Sequence, residues 1–158
     1  DVVQCQPKVF IFGAGHVGQN LANTLVGTPY KVHLIDTRDE WIQHENLSPD
    51  IIKISENPLQ FVMNKDWLPR SSLVLIMTHS HQLDFDLLSS LVDKNLLYLG
   101  LIGSQTKWLR FKKRLEEKEF EKDDIYKVKC PIGIPIGGKA PKEIAISVSA
   151  ELLGILYN

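Results

Sequence analysis

Cysteine is scarce: the chain has two among its 158 residues. Two cysteines cannot build a disulfide framework, and the separation of Cys5 from Cys130 matches no zinc-ligand spacing. Charge of one sign is lacking as well. The formal net charge is −1, so there is no basic footprint for nucleic acid. No apolar run approaches the roughly 20 residues that span a bilayer, and no membrane partner is expected. The opening Asp1-Val-Val-Gln4 is polar and has no basic lead-in to an apolar stretch, so it does not read as a secretory signal. Internal repeats and low-complexity segments are absent too. A cytoplasmic protein is the expectation. The apolar fraction of 44% is ordinary for a packed core, and the length suits one domain over residues 1–158.

What is present alternates short β-rich runs with longer helical ones. Lys8 to Phe12 is a near-continuous apolar run, the mark of a strand buried on both faces. Val17, Leu21 and Leu25 then recur every four residues, as on one side of a helix. Gly27 and Pro29 stop it. Further strands are expected at Lys31 to Ile35, Ile51 to Ile54, Ser72 to Met77, Leu97 to Ile102 and Ile125 to Cys130. Helices are expected from Pro58 to about Lys65 with Asn57 as N-cap, around Leu83 to Val92, from about Ser104 to Lys118, and from Pro141 onward. The charged stretch Glu116 to Asp124 reads as a solvated helix end and turn. Strand–helix alternation along the whole chain means a parallel sheet covered on both faces. The expected fold is therefore α/β: a doubly wound, three-layer, Rossmann-like sheet of about six strands, in the order 3-2-1-4-5-6.

Gly13-Ala-Gly15-His16-Val-Gly18 follows the first strand and opens the first helix. In that context a G-x-G-x-x-G loop is a phosphate cradle: one glycine for the turn, one for close approach of the ligand, one for helix–strand packing. The helix N-terminus adds free N–H groups and a partial positive charge. Asp36 ends the second strand, 23 residues after Gly13. A carboxylate there can accept from both hydroxyls of an adenosine ribose, which favours NAD over NADP, although Arg38 nearby blurs that preference. His16 either touches a phosphate or caps the helix.

Ligands of open α/β sheets bind beyond the carboxyl ends of the strands. Thr78-His79-Ser80-His81 and Asp84 follow the fourth strand, Gly103-Ser104 and Lys107 the fifth, and Cys130 the sixth. The loop "CPIGIPIGGKAP" then sets a thiol, the pair Gly137-Gly138 and Lys139 just before the last helix. All of these fall on the edge that carries the glycine loop. His79 and His81 have no evident third ligand for a metal, and none is expected. Cys130, if exposed near Lys139 and a helix N-terminus, would have a lowered pKa and serve as a soft ligand; otherwise it is a small buried hydrophobe.

The stretches "FIFGAGHVGQNLA", "LIDTRDEW", "MTHSHQLDFDLL", "YLGLIGSQTKWLRFKKRL" and "CPIGIPIGGKAPKEIAISVSAEL" cover nearly the whole chain. Together they resemble the C-terminal Rossmann domain of the xanthine dehydrogenase accessory protein family (XdhC/CoxI type). Two positions depart from that pattern: Ser80 stands where an acidic residue is frequent, and Gln105 where Arg is. The resemblance is to that C-terminal domain, and the N-terminal domain usual in the family is not expected within residues 1–158. The resemblance implies a maturation factor for a molybdenum hydroxylase such as xanthine dehydrogenase, a binding and delivery protein rather than a turnover enzyme. It implies the molybdenum cofactor as cargo, to be sulfurated and inserted, and a cysteine desulfurase as a further partner. It also nominates Gly13, Gly15, His16, Gly18, Asp36, His79, Ser104, Cys130 and Lys139 as cofactor-binding residues. Two alternatives stay open, an NAD(P)-dependent oxidoreductase and a nucleotide-sensing domain. The last helix, rich in Ala and Ser, suits packing against a second copy.

Overall fold

The computed structural model describes residues 6–158. Six parallel strands form one sheet in the order β3-β2-β1-β4-β5-β6. They are β1 (Lys8–Phe12), β2 (Lys31–Asp36), β3 (Ile52–Ser55), β4 (Ser72–Ile76), β5 (Tyr98–Leu101) and β6 (Val128–Lys129). The helices are α1 (His16–Leu25), α2 (Asp39–Ile42), α3 (Pro58–Asn64), α4 (His81–Leu91), α5 (Gln105–Glu117), α6 (Lys122–Tyr126) and α7 (Pro141–Tyr157). This is the doubly wound order expected from the alternation, with its switch point between β1 and β4. Among the described residues no helix is long and apolar enough to cross a membrane.

The pleat sends alternate residues of each strand to opposite layers. Val9 and Ile11 of β1, with Leu73 and Leu75 of β4, pack against Leu21 and Leu25 of α1 and Val148 and Leu152 of α7. Phe10, Phe12, Val74 and Ile76 pack the other way, against Val62 of α3, Phe85 and Leu88 of α4, and Phe111 and Leu115 of α5. Each such fully buried side chain contributes about 1.5–3 kcal/mol of burial energy. Tyr30 ties the first layer together by donating its hydroxyl to the carbonyl of Leu152, 2.6 Å away.

The caps form where expected. Asn57 accepts from the N–H groups of Leu59 and Gln60, and Ser104 from that of Lys107. Ser80, the departure from the family pattern, is the N-cap of α4 and accepts from Leu83. One expectation is corrected and one element is new. The sixth strand is only two residues long, because Lys122–Tyr126 turns as α6 to bury Ile125. Helix α4, expected around Leu83 to Val92, runs from His81 to Leu91. The one-turn helix α2 was not expected; it buries Ile42 and brings Trp41 beside the glycine loop.

Candidate functional site

The three loop glycines have different reasons to be glycine. Gly13 has φ +118°, and a Cβ there would lie 2.2 Å from the Met77 carbonyl oxygen. A Cβ at Gly18 would lie 1.9 Å from the carbonyl oxygen of Gly13. Both glycines are demanded by packing. Gly15 is not: its backbone is extended, and a Cβ would meet nothing within 4 Å. Gly15 is the N-cap of α1, so the space above it is bounded by the free N–H groups of the first helical turn. His16 is the first residue of α1, exposed, with its ring edge-on to Trp41 at 5.1 Å. No side chain caps α1, so the capping role considered for His16 is not taken.

Asp36 is 4% exposed, and both its oxygens are already engaged. Oδ2 accepts from the Ala14 N–H at 2.7 Å and Arg38 Nη2 at 2.9 Å; Oδ1 accepts from the Arg38 N–H and Nε. A carboxylate offers about four lone-pair sites, and here all four are filled from within the chain. Burial pushes the Asp36 carboxyl up, but the bonds from Arg38 and Ala14 outweigh it and hold the group below its ordinary range. Arg38 lies in turn over the Trp41 ring, 5.0 Å from its centroid. Gly13, Asp36 and His79 share one recess, with Thr37, Pro58 and Thr78. It holds about 10 Å³, room for about one water molecule. A cavity of about 640 Å³ lies at the opposite edge of the sheet, where α3 and α4 end. We place the candidate site on the edge that carries the smaller recess, at the start of α1, where Gly15 faces open space beside the recess that Gly13 lines.

A second group sits beside it on the same edge. Lys107 is 6% exposed and Asp84 1%. Lys107 Nζ donates to Asp84 Oδ2 at 2.8 Å and to the Ile102 carbonyl at 2.8 Å. Asp84 Oδ1 accepts from the N–H and hydroxyl of Thr78. One buried ion pair therefore joins the end of β4, the start of α4 and the first turn of α5. Gly103, at φ +146°, leaves the space that the Lys107 stem occupies. Cys130 Sγ lies 3.7 Å from the Gly103 carbonyl oxygen and 3.9 Å from that of Ser104. Its thiol is half-buried, and burial pushes its pKa up to about 11, a rise that Lys107 only partly offsets. Of the two readings open for Cys130, the condition for a lowered pKa, an exposed thiol, is not met. Glu151 pins the following loop, accepting from the Gly133 N–H at 2.7 Å and the Tyr98 hydroxyl at 2.9 Å.

The candidates therefore gather as two neighbouring groups, Gly13 to Gly18 with Asp36 and His79, and Ser104 with Cys130, bridged by Thr78, Asp84 and Lys107. Lys139 stands apart, exposed ahead of α7 and in no ion pair among the described residues. A family model for the XdhC Rossmann domain matches residues 9–152. The chain belongs to that family. It is 30% identical over 151 residues to a probable xanthine dehydrogenase subunit of Bacillus subtilis (strain 168), covering 96% of this chain and 43% of that protein. It is 28% identical over 153 residues to the "Uncharacterized protein YqeB" of Escherichia coli (strain K12), covering 97% of this chain and 28% of that one. A crystal structure of a xanthine dehydrogenase from Bacillus halodurans matches with TM-score 0.80 at 28% identity, over 96% of this chain and 43% of that one. The chain thus spans less than half the length of these relatives. Within this XdhC Rossmann domain, sequence reasoning nominated Asp36 but missed that its acceptors are filled. It named Asp84 and Lys107 without their pairing, since nothing in a 23-residue separation on two helices signals an ion pair.

Proposed function

We propose that this XdhC Rossmann domain is an accessory module for a molybdenum hydroxylase of the xanthine dehydrogenase kind, which holds the molybdenum cofactor for sulfuration and insertion. Family membership supports the hydroxylase as partner. The observation that carries the cargo is the contrast between a saturated Asp36 and an open Gly15. An adenosine ribose needs a carboxylate with acceptors to spare, and Asp36 has none. A phosphate needs only backbone N–H groups and room to approach them, which Gly15 and the start of α1 provide. The phosphate-bearing pterin of the cofactor fits that chemistry, and supplies the molybdenum centre at which a terminal oxo is exchanged for sulfur.

In this reading Gly15, His16 and the first turn of α1 hold the phosphate. Gly13 and Gly18 let the loop close on β4 and α1. Asp36 orients the Ala14 amide and Arg38 rather than touching the cargo. His79 lines the small recess with Gly13 and Asp36, beside that phosphate position. Cys130 offers a neutral, soft sulfur near neutral pH, which is suited to shielding rather than to nucleophilic attack. A cysteine desulfurase and a second copy of the chain are proposed as further partners, in the cytoplasm.

The test is a binding titration of the purified domain with molybdenum cofactor, NADH, NADPH and AMP in parallel, repeated on Cys130→Ser. Saturable binding of molybdenum cofactor, with weaker or no binding of NADH, is expected, and Cys130→Ser is expected to lower cofactor retention while the fold stays intact. Tighter binding of NADH than of molybdenum cofactor would overturn the reading in favour of a dinucleotide enzyme or sensor.

A further inference from the structure

Two arginines on α5 have no role in the site described above. Arg110 and Arg114 stand one helical turn apart, so both forks emerge on the same face. With His81 at the start of α4 they line a recess of about 270 Å³ whose apolar wall is Phe111. Among the described residues neither arginine belongs to a salt bridge. Arg114 is nonetheless held in place, because its guanidinium lies over the Phe85 ring with Cζ 3.7 Å from the centroid. Stacking occupies the faces of a guanidinium and leaves its edge N–H groups free to donate. The remaining wall is Gln82, whose amide donates to Asp86. Among the described residues no carboxylate lines the recess.

We infer that Arg110, Arg114 and His81 form a second ligand site, for a phosphate-type oxyanion, between α4 and α5. Its donors come from three side chains on two elements. A carboxylate, with two oxygens, is satisfied by a single arginine fork. A tetrahedral phosphate, with more acceptor oxygens, can engage all three at once. The segment Thr78–His81 runs between the two recesses: Thr78 and His79 line the glycine-loop recess, and His81 lines this one. The site does not depend on what the glycine loop binds.

The experiment is a titration of the ¹⁵N-labelled domain with sodium phosphate, followed through backbone amides and arginine Nε–H signals at constant ionic strength. Sodium acetate is the control. Saturable shifts at Arg110, Arg114 and His81 with phosphate but not acetate are expected. Arg110→Gln together with Arg114→Gln is expected to weaken binding at least about tenfold. Arg110→Gln alone, which leaves the Phe85 stack intact, is expected to weaken it in the same direction. Equal response to acetate, shifts that grow linearly without saturation, shifts confined to Gly13–Gly18, or undiminished binding by a folded Arg110→Gln variant would each overturn the inference.

Discussion

At the scale of single residues, the glycine loop separates packing from ligand contact. Gly18 sits where any Cβ collides with the Gly13 carbonyl, a rigid backbone atom at 1.9 Å. Gly15 faces open space at an extended N-cap position with φ −72°. Threonine is about as good an N-cap as glycine, and its β-branched side chain suits extended backbone. Gly15→Thr is therefore expected to change stability by no more than about 0.5 kcal/mol while abolishing binding of a phosphate-bearing ligand at the loop. Gly18→Ala is expected to destabilise by about 1–3 kcal/mol through overpacking. Thermal melts of the two variants beside a titration of Gly15→Thr check both halves. A Gly15→Thr domain that still binds at full strength would show that the open space above Gly15 is not where the ligand lies.

At the scale of elements, the order of strands and helices was legible because it rests on periodicity and caps. Asn57-Pro58 and Ser104 announce helix starts locally, and a short continuous apolar run such as Leu73 to Ile76, too brief for a buried helix, reads as a central strand. Short elements were not legible. Asp39–Ile42 and Lys122–Tyr126 are one turn or little more, too short to show a period, and the second is hidden in a run of charges. Nor was the fate of Lys107 legible, since lysine is almost never fully buried unless paired and its partner lies on another helix. That pair makes a testable joint. Lys107→Ala leaves the Asp84 carboxylate buried without its cation, which is expected to cost about 3–5 kcal/mol. Asp84→Leu with Lys107→Met is expected to cost less than the lysine variant alone, because no charge is stranded. Urea melts of the three proteins decide it. A double variant less stable than Lys107→Ala would mean that the Thr78 bonds to Asp84, rather than the ion pair, hold β4, α4 and α5 together.

At the scale of the whole molecule, titrating groups on both sides of neutrality define a window of stability. His33, half-buried and stacked on Phe10 at 4.4 Å, has its pKa lowered by burial, with Lys31 and Lys8 adding to the effect and the Val9 carbonyl opposing it. A group with a lowered folded pKa stabilises above its unfolded value and loses that contribution as pH falls. The His33 contribution therefore fades as pH drops below 6.5, and that of Asp36 fades below 3.8. Cys130 and Tyr30 run the other way: burial raises their values from 9.0 to about 11 and from 10.0 to about 12. Their contributions are complete below the unfolded values and are lost as pH rises through the folded ones. Stability is expected to be flat between about pH 7 and 9 and to decline on both sides. The alkaline decline should start with Cys130 and be delayed in Cys130→Ser, which has no thiol at that position. Denaturation midpoints measured from pH 4 to 11 on both proteins check this. An unchanged alkaline limb in Cys130→Ser would assign that decline to the tyrosines, and the thiol beside Gly103 and Ser104 would then be more open to water than its burial indicates.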